Sequence, residues 1–525
     1  MRKTAATVLF CAAIFAAQDA IAQTTFDCTA PQAPTLSNPV VLGNGSPGSV
    51  TTAMIQQALD AGGDIRLNAG AGEIALSTTL SVTRDAVLDL GGATLSGGGS
   101  RRVIEVANPS NLTYTFVLQH GAVAHGNTPA GSGAGLFKAT GGPWQVVTIQ
   151  IFDIDFSDNH AIAVAQDDGG GAIYVVGAAE LAVVGASFDA NSGANGGALY
   201  SLGSRSVNLY DSVFSQNHAS GNGGNPGNGG NGGAIGVDGD ARFVNLCRTR
   251  LIGNQANAFG GGLFTVTYSA DSFTRLVDST VQGNFSSASD KLAGGAYIQG
   301  SPLAISGSTF RDNAAAGYAG LALFGQGGVL EGGIVNSTFV GNTAQSGLGG
   351  AMSISQATAL TLENLTIARN TAPCDVCFAA GIANDSGDHL TLRNVIFEDN
   401  VGGNIYNPWA MLHPAAQGDA NLQWPQSRGS GQSETPVAPA TTFASSVLGD
   451  PALNGGPTET MAIAAASPAV DTGTSTGAPP TDQRGFARVG AVDIGAFERQ
   501  GDPIFGNGFD PWRSSISAAV PRSSR

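Results

Sequence analysis

The chain has 525 residues, of which 12% are charged and 76 are glycine, and its formal net charge is −16 at pH 7. So acidic a chain, with 23 Lys and Arg residues, is disfavoured as a binder of nucleic acid or of anionic membranes, because both attract cationic surfaces. A hydrophobic content of 42% excludes a disordered chain and, with so many glycines, suits a long solenoid with a thin, continuous core.

The N-terminus carries the three parts of a secretory signal peptide. Arg2 and Lys3 precede an apolar run over residues 5–17, and residues 20–22 form an A-x-A cleavage site. We therefore predict a signal peptide over 1–22 and a secreted protein, extracellular or on the bacterial outer cell surface. No later apolar stretch is long enough to span a bilayer, so no membrane-spanning segment is expected.

Residues 23–64 are predicted to form an N-terminal segment that covers the first structural coil. Within 50–63, a threonine pair supplies a helix N-cap, apolar residues follow at helical spacing, and the glycine pair 62–63 ends the helix. Short strands rich in Leu, Ile and Val begin at Ile65. This opening resembles that of pectin-lyase-like β-helix proteins.

A motif with a period near 30 residues recurs nine times between Phe156 and Asn400. In each copy an apolar residue is followed three positions later by asparagine, and such a period is typical of stacked units that each cover the next. The nine asparagines are Asn159, Asn191, Asn217, Asn254, Asn284, Asn313, Asn342, Asn370 and Asn400.

Alignment on these asparagines predicts how each unit bends. Positions minus 3 and minus 8 are apolar in every copy, yet an odd spacing would place them on opposite faces of one strand. Position minus 6 is Gly, Asn or Asp in eight copies, and these residues tolerate a positive φ best. We therefore predict a strand, a corner at minus 6, a second strand and a second corner at the asparagine.

A further strand begins after a glycine pair, as in Gly196-Gly197-Ala198-Leu199. Three short strands per turn predict an all-β fold, a right-handed parallel β-helix over 65–405 of roughly a dozen coils. The asparagines would then stack as a structural ladder. The phenylalanines predicted to lie inside are Phe156, Phe188, Phe214, Phe310, Phe339 and Phe397.

The repeats resemble those of chlamydial polymorphic outer-membrane proteins, whose hallmarks are F-x-x-N and G-G-A-[ILV]. The end of the chain resembles a different module. After a linker rich in Pro, Gln, Ser and Gly over 406–440, residues 441–498 contain the ordered motifs D-P, N-G-G-P-T, S-P-A-V-D, D-Q-R-G and V-D-I-G-A-F-E. They resemble the choice-of-anchor Q domain of secreted bacterial β-helix proteins, and residues 499–525 are predicted to be a flexible tail.

The segment from about Asp450 to Glu498 is predicted to be a structural and attachment module. Its charged residues lie in turn-rich motifs with Gly and Pro neighbours, which suits a network that pins loops; they are Asp471, Asp482, Arg484, Asp493 and Glu498. We predict that the module covers the last open coil, whose unpaired strand edges would otherwise invite aggregation. The alternative is that its charged residues bind a ligand.

Four cysteines follow the predicted signal peptide. Cys374 and Cys377 form a C-x-x-C that lacks both the βαβ context of a redox motif and the second ligand pair of a zinc site. In an oxidising compartment a local disulfide is favoured over a redox pair. Cys247, at position minus 7, is predicted to be an inert thiol, and Cys28 has no assigned partner.

Pectinase-type enzymes resemble this fold and cleave acidic polysaccharides. Their lyases need acidic calcium ligands with an Arg or Lys base, and their hydrolases need an aspartate cluster. The nearest cluster here is Asp153, Asp155 and Asp158. Asp153, however, is a corner residue, Asp158 neighbours the asparagine corner, and Asp155 belongs to an outward column. His160 and His218 lie two coils apart, too far for one metal ion.

The sequence therefore identifies no catalytic residue, ligand-binding residue, metal site or cofactor. We interpret the chain as a secreted or cell-surface, non-catalytic β-helix protein that is adhesin-like or binds a glycan or another cell-surface ligand. The alternative is a polysaccharide lyase or glycoside hydrolase of the pectinase type that acts on acidic polysaccharide.

Overall fold

The computed structural model describes residues 28–500 except 109–111, 130, 139–143, 163–164, 225–226, 270–271, 288, 301 and 386–388. The predicted signal peptide and residues 501–525 lie outside the described residues.

The chain winds into a right-handed parallel β-helix of about 13 coils, which confirms the predicted fold class. Three parallel sheets, named A, B and C, run along it. In the described residues, sheet A contains Val40–Leu42, Gly63–Leu67, Glu73–Ala75, Ala86–Asp89, Thr94–Ser96, Tyr114–Ala124, Val147–Ser157, Glu180–Val184, Ser187–Asp189, Ser206–Tyr210, Val213–Ser215, Phe243–Cys247, Arg250–Ile252, Phe273–Val277, Thr280–Gln282, Leu303–Ser306, Thr309–Arg311, Glu331–Val340, Ala359–Ala368, Leu390–Arg393, Ile396–Glu398, Gln417–Asp419, Asn421–Trp424 and Thr441–Phe443.

Sheets B and C complete each coil. In the described residues, sheet B contains Leu80–Val82, Ile104–Val106, Leu136–Lys138, Ile173–Val176, Leu199–Leu202, Ile235–Gly239, Leu263–Thr267, Ala296–Gln299, Leu321–Phe324, Met352–Ser355, Ile382–Asn384 and Met411–Leu412. Sheet C contains the two-residue strands Asn127–Thr128, His160–Ala161, Ser192–Gly193, His218–Ala219, Gln255–Ala256, Phe285–Ser286, Ala314–Ala315, Thr343–Ala344, Thr371–Ala372 and Val401–Gly402. The three-strand coil predicted from the sequence missed sheet C, because two residues are too few for a periodic pattern.

One α-helix, Thr52–Ala61, lies at the N-terminal end of the described chain, within the predicted range 50–63. The Thr51 hydroxyl accepts a hydrogen bond from the Met54 amide, and Gly62 ends the helix at a φ of 78°. Ile55 and Leu59 are buried against the core. The helix therefore covers apolar side chains that an open first coil would expose to water.

The predicted corner at position minus 6 is confirmed in all nine copies. The backbone has a positive φ there even where the residue is Arg248, at 47°. The second corner lies one residue before the asparagine, and not at the asparagine itself as predicted: Ala190, Gln216 and Arg369 have φ values of 54°, 54° and 56°. The asparagine leads directly into the sheet C strand, so the turn must be completed before it.

The six phenylalanines predicted to lie inside are at most 1% exposed. Rings on adjacent coils stack nearly parallel, with centroid separations of 4.9 Å between Phe156 and Phe188 and 4.7 Å between Phe310 and Phe339. This column is the centre of one continuous hydrophobic core along the solenoid. Each buried ring contributes about 1.5–3 kcal/mol by removal from water.

The nine repeat asparagines form one buried column, each at most 3% exposed. The Asn313 Oδ1 accepts hydrogen bonds from the Asn284 main-chain amide (3.0 Å) and side-chain amide (3.0 Å). The Asn313 Nδ2 donates to the Val281 carbonyl and to the Asn342 Oδ1, both at 2.9 Å. Each amide therefore satisfies buried groups on two neighbouring coils, where an unpaired polar group would be costly.

Cys247 is disulfide-bonded to Cys28, 219 residues earlier in the chain, so its interpretation as a free thiol is wrong. Position minus 7 adjoins the inward position minus 8 and so points outward. There it meets residues 28–38, which we call the N-terminal strap. The strap is also fastened by Arg248 to the Cys28 carbonyl (3.0 Å) and by Asp64 to the Ser37 amide (2.5 Å).

Parallel pairing extends beyond 65–405 at both ends, from Val40–Leu42 to Thr441–Phe443. Residues 444–500, which we call the C-terminal module, then fold back along the outer face of sheet A. Thr458 donates to the Gly307 carbonyl (2.6 Å), and Thr338 donates to Gln483 (2.7 Å). The module therefore lies along the flank of several coils, and not only on the last open coil as predicted.

Residues in the predicted linker cover that last coil, since Val437 and Ala438 are buried in the main core. Among the described residues, we find no helix with the length and apolar character required to cross a membrane.

Candidate functional site

The acidic residues and histidines singled out in the sequence lie on sheet A and at its edge with sheet C. The Asp158 carboxylate is hydrogen-bonded to His125 Nδ1 and to His160 Nε2, each at 2.8 Å. These contacts, with His125 the larger effect, lower the pKa of Asp158. Asp155 points outward and accepts a hydrogen bond from Ser187, and Asp153 is the corner residue at minus 6.

His160 and His218 are separated by an intervening strand of sheet C, as the repeat spacing predicts. In the described part of the chain, no group of three or more His, Cys, Asp or Glu side chains is arranged to hold a metal ion. The other cysteine pair, Cys374 and Cys377, is disulfide-bonded in the structure.

A groove of about 760 Å³ opens on a different face, at the C-terminal ends of four successive strands of sheet B. Its walls come from these strand ends and from two loops, one before the sheet A strand Val147–Ser157 and one before the sheet B strand Ile173–Val176. The lining residues are Trp144, Gln145, Gln166, Asp167, Val176, Leu202, Gly203, Asp238, Gly239, Asp240 and Tyr268.

Trp144 forms the platform of the groove. Its indole packs on the backbone of Gly177 and Gly203, and a Cβ at these positions would lie 2.3 Å and 2.8 Å from ring atoms. Both glycines have a φ of 58°, so they provide the turn and the space together. The main-chain amide of the neighbouring Gln145 donates a hydrogen bond to the Gly177 carbonyl (2.7 Å), which holds the loop in place. The indole stays 60% exposed, so much of the ring faces the open groove.

Tyr268 supplies a second aromatic side chain, which is 51% exposed. Three carboxylates accompany the two rings: Asp167 and Asp240 are exposed, whereas Asp238 is 9% exposed. Burial, and then the nearby charges of Asp238 and Asp167, raise the pKa of the Tyr200 phenol well above its ordinary value. The groove therefore combines exposed aromatic surface with negative charge.

The outer face of sheet B continues the aromatic surface along the solenoid axis. The ring of Tyr297 stacks between Phe264 at 5.2 Å and Phe324 at 5.0 Å. The Tyr297 hydroxyl donates to Gln299, whose amide donates to Gln326 at 2.8 Å. We call the partly exposed residues Phe259, Tyr297, Gln299, Tyr318, Phe324 and Gln326 the aromatic strip. The strip and the groove share one register of sheet B, since Gln299 and Phe324 align through Val266 with the groove residue Asp238. Burial, and then the charge of Tyr268, raise the pKa of Tyr297 to about 12.

The groove could not be predicted from the repeat pattern, because Trp144 and Tyr268 occur once each in irregular loops. One signal was available. Gly177, Gly203 and Gly239 lie at the same register, at the ends of three successive sheet B strands. Such a column of glycines marks a place where a side chain, a ligand or another segment approaches the backbone closely.

Comparison with known proteins assigns this chain to no family. No protein family profile matches it, and no curated protein sequence matches it. Among solved structures, tailspike protein 3 of bacteriophage CBA120 is similar, with 12% sequence identity and a TM-score of 0.35 over 78% of this chain and 68% of the tailspike chain. Likeness at this level establishes neither a shared family nor a shared activity.

Proposed function

We propose that this protein is a secreted or cell-surface β-helix protein that binds a glycan, without catalysis, in the groove around Trp144. The proposal rests on the exposed Trp144 indole, which packs on the backbone of Gly177 and Gly203. Sugar rings pack their apolar C–H faces on exposed aromatic rings. A concave site with exposed aromatic rings and a few convergent polar groups is the usual form of a small-molecule site. The repeat columns leave this groove open while they build a rigid scaffold beneath it.

Two further features support an extracellular location. The N-terminal sequence has the pattern of a secretory signal. The structure also has two disulfides, Cys28–Cys247 and Cys374–Cys377, and such bonds persist in oxidising compartments. The C-terminal module fits the structural and attachment role predicted from its turn-rich motifs.

The test is glycan binding by the mature protein and by Trp144→Ala. We expect binding to one or more polysaccharides, and a loss of about thirtyfold in affinity in the variant, because truncation of a hot-spot aromatic residue costs about 2 kcal/mol or more. Trp424→Ala is the matched control, since Trp424 is also exposed, at 39%, but lies on sheet A. Equal binding by both variants would contradict the proposal.

A second candidate is a polysaccharide lyase or glycoside hydrolase, and the three aspartates of the groove favour it. Hydrolases use a pair of carboxylates as acid and base or nucleophile. A reducing-end assay over acidic and neutral polysaccharides, with and without calcium, distinguishes the candidates. New reducing ends that disappear in Asp238→Asn would establish the enzyme, whereas binding without cleavage supports the non-catalytic protein.

A further inference from the structure

The geometry points to the ligand class: we propose that the groove and the aromatic strip together bind a linear, uncharged or amino-sugar polysaccharide, laid along the solenoid axis, and discriminate against acidic polysaccharide. This inference rests on the proposed glycan-binding function. It adds the charge of the ligand, its direction and the length of chain that is recognised.

The charge of the ligand is inferred from the charge of the groove. Asp167, Asp238 and Asp240 line it, and none of its described lining residues is Lys, Arg or His. Lys138 lies nearby but is buried, and its ammonium donates to the Val176 carbonyl at 2.6 Å. A cleft lined by one sign of charge focuses that potential, and like charges brought together at an interface oppose binding. A chain of uronic acids would therefore be repelled, and a neutral or protonated amino sugar would not.

The length of the recognised polymer is inferred from the continuity of the aromatic surface. Strand pairing in sheet B runs without interruption from Ile173–Val176, through Leu199–Leu202, Ile235–Gly239, Leu263–Thr267 and Ala296–Gln299, to Leu321–Phe324. Six strands give five spacings, a length of about 24 Å along the axis. Trp144 lies at one end of this face and Phe324 near the other. The strip also contains the side-chain amides of Gln299 and Gln326, which can pair with sugar hydroxyls.

Direction follows from this layout. The groove opens at the ends of the sheet B strands, and the strip continues from it in the same register, from Asp238 through Val266 to Gln299 and Phe324. A polymer that contacts both must run parallel to the solenoid axis. A branched or globular ligand would reach the groove alone.

The experiment is calorimetric titration of the mature protein with neutral linear oligosaccharides, from disaccharide to octasaccharide, of glucose, mannose, xylose and N-acetylglucosamine, together with chitosan and galacturonate oligomers. We expect one neutral or amino-sugar series to bind, with affinity that rises with chain length until the strip is filled. Tyr297→Ala should lower affinity for the octasaccharide about tenfold and leave the disaccharide unchanged. Trp144→Ala should weaken both. Tyr406→Ala, exposed by 66% at another site, is the control for Tyr297.

The charge is tested with Asp167→Asn/Asp240→Asn, which removes two negative charges from exposed side chains. This variant should gain affinity for galacturonate oligomers, and high salt should reproduce part of that gain by screening. Tight galacturonate binding by the unchanged protein, or affinity independent of chain length, would overturn the inference and leave glycan binding in place. Failure of every oligosaccharide to bind would overturn the proposed function itself.

Discussion

At the scale of the residue, each position of the coil has a fixed relation to its copies above and below. A buried side chain therefore packs against like side chains, and an outward side chain mainly meets solvent or a covering segment. Phe339 and Asp155 exemplify the two cases, since Phe339 is fully buried and Asp155 is exposed.

Phe339→Ala should destabilise the protein by about 3–5 kcal/mol, because it removes a buried ring and leaves a cavity in the stack. Asp155→Ala should cost about 0.5 kcal/mol or less, as is usual for a surface substitution. Chemical denaturation of the two variants measures the difference. Comparable losses of stability would contradict the assignment of the inward and outward positions.

Glu363 is a buried carboxyl group, 4% exposed, between sheet A and the C-terminal module. A Cβ on Gly477 would lie 2.8 Å from its oxygens, and Oε1 has no hydrogen-bond partner in the described residues. Burial raises the pKa of Glu363 to about 7, against an opposing effect of Arg393 and Arg488. The folded state therefore holds the proton more tightly than the unfolded state does.

Stability from this group is fully present below its unfolded pKa of 4.5 and is lost as the pH rises through its folded pKa of about 7. Glu363→Gln should accordingly be more stable than the unchanged protein, by about 3 kcal/mol near pH 8, and should gain little near pH 4. Denaturation at both pH values, compared between the two proteins, measures this. A difference independent of pH would show that the carboxyl group does not titrate as described.

At the scale of the element, the two disulfides have different expected effects. The bond from Cys28 to Cys247 spans 219 positions, whereas that from Cys374 to Cys377 spans three. If a disulfide stabilises by lowering the entropy of the unfolded chain, closing the long loop stabilises the fold by about 5 kcal/mol and closing the short loop by about 2 kcal/mol. Cys28→Ser/Cys247→Ser should therefore lower the melting temperature more than Cys374→Ser/Cys377→Ser.

Limited proteolysis should also release the N-terminal strap in the first variant alone. Mass spectrometry of an unreduced digest of the mature protein should show both pairs joined, and alkylation of all four thiols would contradict these disulfides.

The same elements show what sequence can and cannot predict here. The corner at minus 6 was visible because Gly, Asn and Asp recur there, and their tolerance of positive φ is intrinsic. The corner at minus 1 carries the same signal in six copies, where the residue is Asp or Gly, but it was assigned to the adjoining asparagine, which is present in every copy. Ala190, Gln216 and Arg369 lack that intrinsic tolerance, and the stacked coils hold them at a positive φ. The Cys28–Cys247 bond and the Trp144 platform were missed for a similar reason: each joins distant, unrepeated positions, whose meeting depends on the number of coils between them.

At the scale of the whole molecule, the C-terminal module covers a flank of the solenoid. Ile494 and Phe497 of the module pack with Ile396 and Leu422 of sheet A in a separate apolar cluster. The module also has its own buried ion pair, between Arg488 and Glu498 at 2.8 Å. It is therefore a folded unit whose apolar side requires the solenoid.

Deletion of residues 444–525 should lower the melting temperature by about 5 °C or more, because it exposes this apolar cluster. Solubility should fall with it. Binding in the groove should be unchanged, since the groove lies on sheet B. A truncated protein of unchanged stability that has lost its glycan would identify the module as the binding element.

The strap is fastened at Cys247 and the module at Gly307, and the sheet A strands Phe273–Val277 and Thr280–Gln282 lie between these points. The strap and the module therefore act as two clasps of fixed reach on a rod of variable length. Duplication of the unit 255–284 would lengthen the rod by about 4.8 Å without changing the reach of either clasp. An extra coil between Leu42 and Cys247 would instead force the strap to stretch or its disulfide to open. The solenoid therefore tolerates an inserted coil between Cys247 and Gly307 but not between Leu42 and Cys247.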